Sequence, residues 1–362
     1  MSLSPRQSLW QQLKESPFII RLLHWEYWPM TVTNIPVVLC WLYYALRARS
    51  LFFFSTANPV IETGGVFGES KINILKRIPE AYLPITVFVA AGTSFQQLKQ
   101  EMQAAGLHYP IIAKPNVGER GFLVTRIEKE EELIAYLNQH AIDFLVQEFV
   151  AWPLELSVMH YRMPADEHGE VTSICIKETL KVQGDGQSTV EELMANKARA
   201  KLQLPRFRMA FPALLQQIPN KGEWLELEPI GNHSRGTMFL NGNAHISGEL
   251  HALFNSISQR MEGIYYGRFD MKCKDMESLK AGKGFKILEF NGIASEPAHI
   301  YDPTYPLLQK YKDIFWHWNK IYQISQQQMA RGIKAMTLKE AIQALRDYFG
   351  YMRMVRQTQK EG

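Results

Sequence analysis

Two short segments, Gly267-Arg268-Phe269-Asp270 and Leu288-Glu289-Phe290-Asn291, alternate polar and apolar residues at the period of a β-strand. Side chains two apart on a strand share a face, so Arg268 points with Asp270, and Glu289 with Asn291. Paired as neighbours, the segments bring three oxygen donors and one guanidinium onto one patch. Oxygen donors without His or Cys suit Mg²⁺, which is held by one or two carboxylates plus nucleotide phosphates; Mn²⁺ suits the same set. Acids on alternate strand positions are more often the solvated side of a half-buried sheet. Here Leu288 and Phe290 bracket Glu289, and the loop Gly292 to Pro297 gives the chain an irregular exit beside the donors. An ATP site is the expectation.

At 362 residues, 46% of them hydrophobic and 21% charged, the chain is long enough for two or three lobes around more than one core. Its net charge of +4 is dispersed, which gives no footprint for a nucleic-acid partner. Cys40, Cys175 and Cys273 have no C-x-x-C spacing, which fits reduced thiols in a cytoplasmic protein and offers neither a disulfide framework nor a zinc site. No secretory signal pattern is visible at the start of the sequence.

Residues 1–67 form an aromatic-rich N-terminal region holding Trp10, Trp25, Trp28 and Trp41. Its apolar run from Ile35 to Leu46 ends on Arg47 and Arg49 and is shorter than the ~20 residues a transmembrane helix needs. Two readings stay open: packing on the protein's own lobes or on a second subunit as a homodimer, or peripheral contact with the inner membrane surface, aromatics at headgroup level and arginines facing lipid phosphate.

Beyond it, strands are expected at 50–56, 85–90, 111–114, 144–150, 155–162 and 171–182, with helices at 70–78, 94–105, 129–139 and 251–262. Lys177 and Lys181, four apart in one expected strand, would face the same way. The turn from Asn116 to Gly121 carries Gly118 and Gly121 between strand-like segments and suits backbone N–H contacts to phosphate. Mixed short units point to an α+β (or α/β) enzyme. The tail opens on a Thr337-x-x-Glu340 capping box, and Leu338, Ile342, Leu345, Phe349 and Met352 at helical spacing predict a docking helix with that stripe in the core.

Taken in order, these pieces resemble the ATP-grasp superfamily, in the branch of D-alanine:D-alanine ligase, glutathione synthetase and cyanophycin synthetase, over residues 68 to 302. The resemblance implies two lobes sandwiching ATP: an N-lobe at 68–147, a C-lobe with the metal site at 148–310, and a C-terminal helical tail at 311–362. It implies Asp270, Glu289 and Asn291 as metal ligands, and Lys71 and Lys114 as phosphate lysines with Gly118 and Gly121 in the covering turn. Val146 to Val150 looks like the adenine hinge, with Glu148 and Val150 there, Glu155 on ribose, and either Lys177 or Lys181 reaching the nucleotide. The segment Gly184 to Leu193 also resembles the cyanophycin and glutathione synthetase branch. Two readings stay open for Arg235, a loop-stabilising side chain or a second anion clamp at the acceptor site, while the loop with Ser295 and Glu296 is expected to border that site, Glu296 being either an attractor for an ammonium group or a solvated acid. Two features depart from the family: the glycine turn is shorter than the serine-rich loop of the alanine ligases, and the region before Lys71 is too short for the usual N-terminal α/β domain. The implied activity is an ATP-dependent carboxylate–amine ligase in which Arg268 stabilises an acyl phosphate; a kinase acting on a hydroxyl, or a membrane-surface nucleotide binder with little turnover, are the alternatives.

Overall fold

The computed structural model describes residues 28–119, 121–228, 231 and 236–361. The chain is mixed α and β, with its strands in antiparallel sheets.

Helices Met30–Thr33 (α1) and Ile35–Ala48 (α2) come first. Asn34 precedes a proline at the start of α2, and Arg49 ends it in the left-handed conformation, its N–H returning to Ala45 and Leu46 carbonyls. The strand expected at 50–56 is instead a 3₁₀ turn, Phe53–Ala57. Its aromatic run has high β propensity, yet Phe53 and Phe54 meet Trp318 edge-on and Phe53 also meets Tyr322, so helix packing overrides the local preference.

Lys71–Leu75 (α3) is capped by the Ser70 hydroxyl. Four strands follow, Thr86–Val89 (β1), Ile111–Pro115 (β2), Thr125–Ile127 (β3) and Phe144–Glu148 (β4), in the order β1-β4-β2-β3. Helices Phe95–Ala104 (α4) and Glu130–Gln139 (α5) cover this sheet, packing Leu98, Met102, Leu133 and Tyr136 on Val87, Ile111 and Val146.

The second sheet is built from Leu154–Arg162 (β5), Gly169–Glu178 (β6), Met238–Asn241 (β9), Tyr266–Cys273 (β10) and Phe285–Asn291 (β11), in the order β11-β10-β5-β6-β9. The single strand expected at 171–182 is broken after Glu178; Leu180–Gln183 (β7) pairs with Trp224–Glu228 (β8) in a separate ribbon. Around that ribbon pack the short helices Val190–Ala195 (α6), Ala198–Lys201 (α7), Leu204–Ala210 (α8) and Pro212–Leu215 (α9), with Leu180, Val190, Phe207 and Leu227 inside. Thr189 and Glu192 form the reciprocal capping box at α6.

Gly248–Arg260 (α10) lies on the back of the five-stranded sheet, setting Phe254 against Phe269. Phe269 is buried among Met271, Ile287 and Phe290, so Phe269→Ala would cost about 3–5 kcal/mol. Met276–Lys280 (α11) joins β10 to β11, and Leu307–Ala330 (α12) packs against α2 and the 53–57 turn. In Leu338–Glu361 (α13) the expected capping box is present, with Thr337 Oγ1 accepting from Glu340 N. The expected core stripe is not: Leu338, Ile342, Leu345 and Phe349 are exposed and Met352 is half-buried, whereas Ala341 and Val355 are buried. The face that docks is the one carrying Tyr348 and Tyr351, whose hydroxyls bond Glu119 and Val117 of the glycine turn.

Candidate functional site

The pairing of β10 with β11 sets Arg268 opposite Asn291 and Asp270 opposite Glu289. Directly opposed residues share a sheet face, so all four stand together, with Ser157 of β5 opposite Asp270 on the other side. Asp270 is crowded with donors: Arg268 Nε at 3.1 Å and Nη2 at 3.2 Å, Asn291 Nδ2 at 3.0 Å, and the Ser157 hydroxyl in a short hydrogen bond. Lys177 Nζ bridges Glu155 at 3.1 Å and Asp270 at 3.5 Å. Lys71 Nζ lies 2.8 Å from Glu289 Oε1 and donates to the Gly118 carbonyl at 2.7 Å. Lys114 Nζ donates to Gln147 Oε1 and to the Leu288 carbonyl, both at 2.9 Å.

Burial by itself would push the Asp270 carboxyl up, but Arg268 and Lys177 and the bonds from Ser157 and Arg268 outweigh it and hold it well below the usual range. Glu289 is lowered in the same way: burial opposes ionisation, and Lys71 and Lys114 overcome it. Among the lysines, burial would depress Lys71 and Lys177, yet Glu289 keeps the first raised, and Asp270 and Glu155 the second. Lys114 is fully buried with no carboxylate bonded to it, so burial wins and lowers it to about 8.

Backbone contacts lock the start of α3 to the glycine turn. Asn116 receives the Lys71 N–H on its carbonyl at 3.0 Å and the Ile72 N–H on its side-chain oxygen at 3.0 Å, tying the start of α3 to the glycine turn. Gly118 and Gly121 hold positive φ angles of 154° and 71°. On the other side the segment after α2 reaches the exit of β11. Asn58 Oδ1 accepts from the N–H groups of Tyr265 and Tyr266, while Ile293 and Ala294 donate to the carbonyls of Gly64 and Gly65. A Cβ on Gly65 would lie 2.6 Å from Gly292 Cα, so glycine is needed for that approach.

Among the expected residues, Lys181 stands away from this cluster. Lys181, on the small ribbon, pairs with Glu178 and covers the Trp224 ring; Lys177 is the one beside Asp270. The break after Glu178 removes the shared strand on which both were placed. Glu148 spends its carboxylate on the Ile85 N–H at 3.1 Å, Val150 is buried, and Glu155 holds Lys177. The Ser295 hydroxyl folds back onto the Asn291 and Gly292 carbonyls, and Glu296 accepts from Tyr301 while its carbonyl takes Arg268 Nη1 at 3.2 Å. Arg235 lies outside the described residues.

Ser157 and Glu69 are not singled out by the sequence, and Gln147 only as part of the expected adenine hinge. Ser157 and Gln147 are strand positions whose value comes only from their cross-strand neighbours. Glu69 sits two before Lys71, and its spacing could have marked it. Its Oε2 is buried with no hydrogen-bond partner, and burial raises its carboxyl near Lys71 and Glu289. Among the described residues no group of three His, Cys, Asp or Glu is arranged to hold a metal ion. The cations next to Asp270 and Glu289 are protein ones. The oxygen donors and the unpartnered Glu69 oxygen nevertheless fit a hard divalent ion.

No family model matches the chain. No curated protein sequence matches it either. Among solved structures it is similar to a bifunctional glutathione synthetase from Pasteurella multocida, at 17% identity over 68% of this chain and 35% of that one, with a TM-score of 0.37. It is also similar to the VanG D-Ala:D-Ser ligase from Enterococcus faecalis, at 14% identity over 71% of this chain and 63% of that one, with a TM-score of 0.41. A D-alanine–D-alanine ligase from Bacillus anthracis complexed with ATP matches at 14% identity, over 75% of this chain and 69% of that one, with a TM-score of 0.39. The chain therefore spans about a third of the first of these enzymes and under two thirds of the second.

Proposed function

We propose that this chain is an ATP-dependent carboxylate–amine ligase that releases ADP and phosphate. The supporting observation is the gathering of Lys71, Lys114, Lys177 and Arg268 around Asp270, Glu289 and Asn291 on one sheet face. A surface built only for stability gains little from so many buried charges, because desolvation offsets most of their attraction. The same charges have a use when a polyphosphate and its metal arrive. Asp270, Glu289 and Asn291 would hold Mg²⁺, which when bound neutralises charge on the phosphates. Lys71 would exchange Glu289 for phosphate oxygen, with Lys114 beside it and the amides of the 116–121 turn above.

The substrate carboxylate then attacks the γ-phosphorus, the bond to the bridging oxygen breaks, and ADP leaves an acyl phosphate. An amine adds to the acyl carbon, loses its proton, and phosphate departs to leave the amide. The protein contributes alignment and charge placement to these steps, with no covalent intermediate of its own. Arg268, held between Asp270 and the Glu296 carbonyl, would place its positive charge on the acyl phosphate and the oxyanion that follows. The glycine turn, pinned by Lys71 and Tyr351, would keep water from the acyl phosphate.

Incubation with ATP, Mg²⁺ and pooled amino acids and lipid-derived acids tests this reading. It predicts ADP release that depends on both an acid and an amine, with a new mass equal to their sum less water. A product carrying phosphate and no amide would assign a kinase instead.

A further inference from the structure

Helix α2 is apolar on two sides. One side, Trp41, Tyr44, Ala45 and Ala48, packs into the cluster with α12, where Tyr44 stacks on Tyr322 at 5.0 Å. The other presents Ile35, Val38, Leu39, Leu42, Tyr43 and Leu46 to solvent, at the i, i+3, i+4, i+7 spacing of a single stripe. Ile35 is 57% exposed, Leu39 62% and Leu46 80%. In an ordinary surface helix this is where charged residues stand.

The charges lie at one end. Arg47 and Arg49 are exposed beside the stripe, and Arg47 rests against the Tyr43 hydroxyl at 3.3 Å. From Tyr27 to Ile61 the chain has no Asp, Glu or Lys. Leu51 is also exposed, and its carbonyl takes the Trp41 indole N–H at 3.0 Å. A stripe of large apolar side chains with arginines at its edge and no carboxylate complements an anionic lipid surface. A second copy of the chain would supply carboxylates or more apolar surface, and nothing here selects for that. The 14 residues of α2 extend about 21 Å, short of the ~30 Å hydrocarbon core, and no helix among the described residues is long and apolar enough to cross a membrane.

We infer that α2 lies in the plane of an anionic bilayer surface, its outer stripe in the acyl boundary and Arg47 and Arg49 at lipid phosphate. The ligase site would then work beside the membrane, within reach of a lipid-borne acid or amine. Flotation of the full chain with vesicles tests it, using phosphatidylcholine alone and phosphatidylcholine mixed with phosphatidylglycerol. The expected result is flotation with the mixed vesicles and much less with phosphatidylcholine. Leu39→Glu with Leu46→Glu should cut bound protein at least about tenfold. Arg47→Gln and Arg49→Gln should each weaken binding to the mixed vesicles about fivefold, and the two together should erase the preference for the anionic lipid. Phe349→Glu, on the exposed stripe of α13, should float as the parent does. Both leucines are exposed and outside the site, so an unchanged circular dichroism spectrum separates lost binding from lost fold. Protein that stays at the bottom of the gradient with mixed vesicles, or a leucine double variant that floats like the parent, overturns the inference. So does a solution dimer that this double variant converts to monomer.

Discussion

Lys71 Nζ stands 2.8 Å from Glu289 Oε1, joining the first turn of α3 to the last strand of the second sheet across 218 positions of sequence. Neither residue gains much from this pair as a stability device, since desolvating both charges offsets most of the attraction. On the proposed function each has a use once the other leaves, Lys71 toward phosphate and Glu289 toward the metal. Lys71→Met would leave Glu289 without the cation bonded to it, costing about 1–3 kcal/mol of stability. Nucleotide affinity measured by calorimetry should fall more than tenfold, with the midpoint of thermal unfolding lowered by only a few degrees.

Lys177 and Lys181 separate sharply. Lys177 is buried between Glu155 and Asp270, while Lys181 is part-exposed on the other ribbon. Lys177→Met removes the shared partner of two buried carboxylates and should cost about 3 kcal/mol, with turnover reduced at least a hundredfold. Lys181→Met should leave both within about twofold, because exposed pairs contribute under about 1 kcal/mol. Denaturant melts with ADP-release assays on the two variants check this.

How much of this could be read from the residues depends on the range of the forces involved. The alternation around Asp270 and Glu289 is local, and the register confirms the common face that it implies. The choice between the two lysines is not local. No glycine or proline punctuates Lys177-Glu178-Thr179-Leu180-Lys181, and the break follows from β7 finding β8 as its partner. Phe52 to Phe54 misled for the same reason, since α12 decides their conformation from far along the chain. In the tail the spacing of Leu338, Ile342, Leu345 and Phe349 identified a helix correctly but not which side docks. Tyr348 and Tyr351 decide that through hydrogen bonds to a turn no periodicity reveals.

Burial lowers Lys114 to about 8 from an ordinary 10.5, so its proton is lost from the nucleotide-free protein as pH rises through 8. Phosphate beside it favours the charged form. Above pH 8, nucleotide binding should therefore take up a proton, and affinity should decline by up to about tenfold per pH unit. Calorimetry in buffers of different ionisation enthalpy reads the proton directly, and Lys114→Met should abolish the uptake.

Tyr351 donates to the Val117 carbonyl at 3.0 Å, which makes α13 a brace for the glycine turn. Tyr351→Phe removes one hydrogen bond worth about 0.5–1.5 kcal/mol. Hydrogen exchange at 117–119 should quicken, and KM for ATP should rise a few-fold with kcat nearly unchanged.

The proposed metal and phosphate site rests on Asp270 and Glu289, paired across β10 and β11. ADP release in the presence of Mg²⁺ is the measurement that bears on it most directly, comparing the parent chain with Asp270→Asn and Glu289→Gln, both nearly isosteric. Each variant should lose at least about 10²–10³-fold in turnover while remaining folded, and chelation of the metal should silence the parent. ADP release near the parent rate by either folded variant would contradict the assignment.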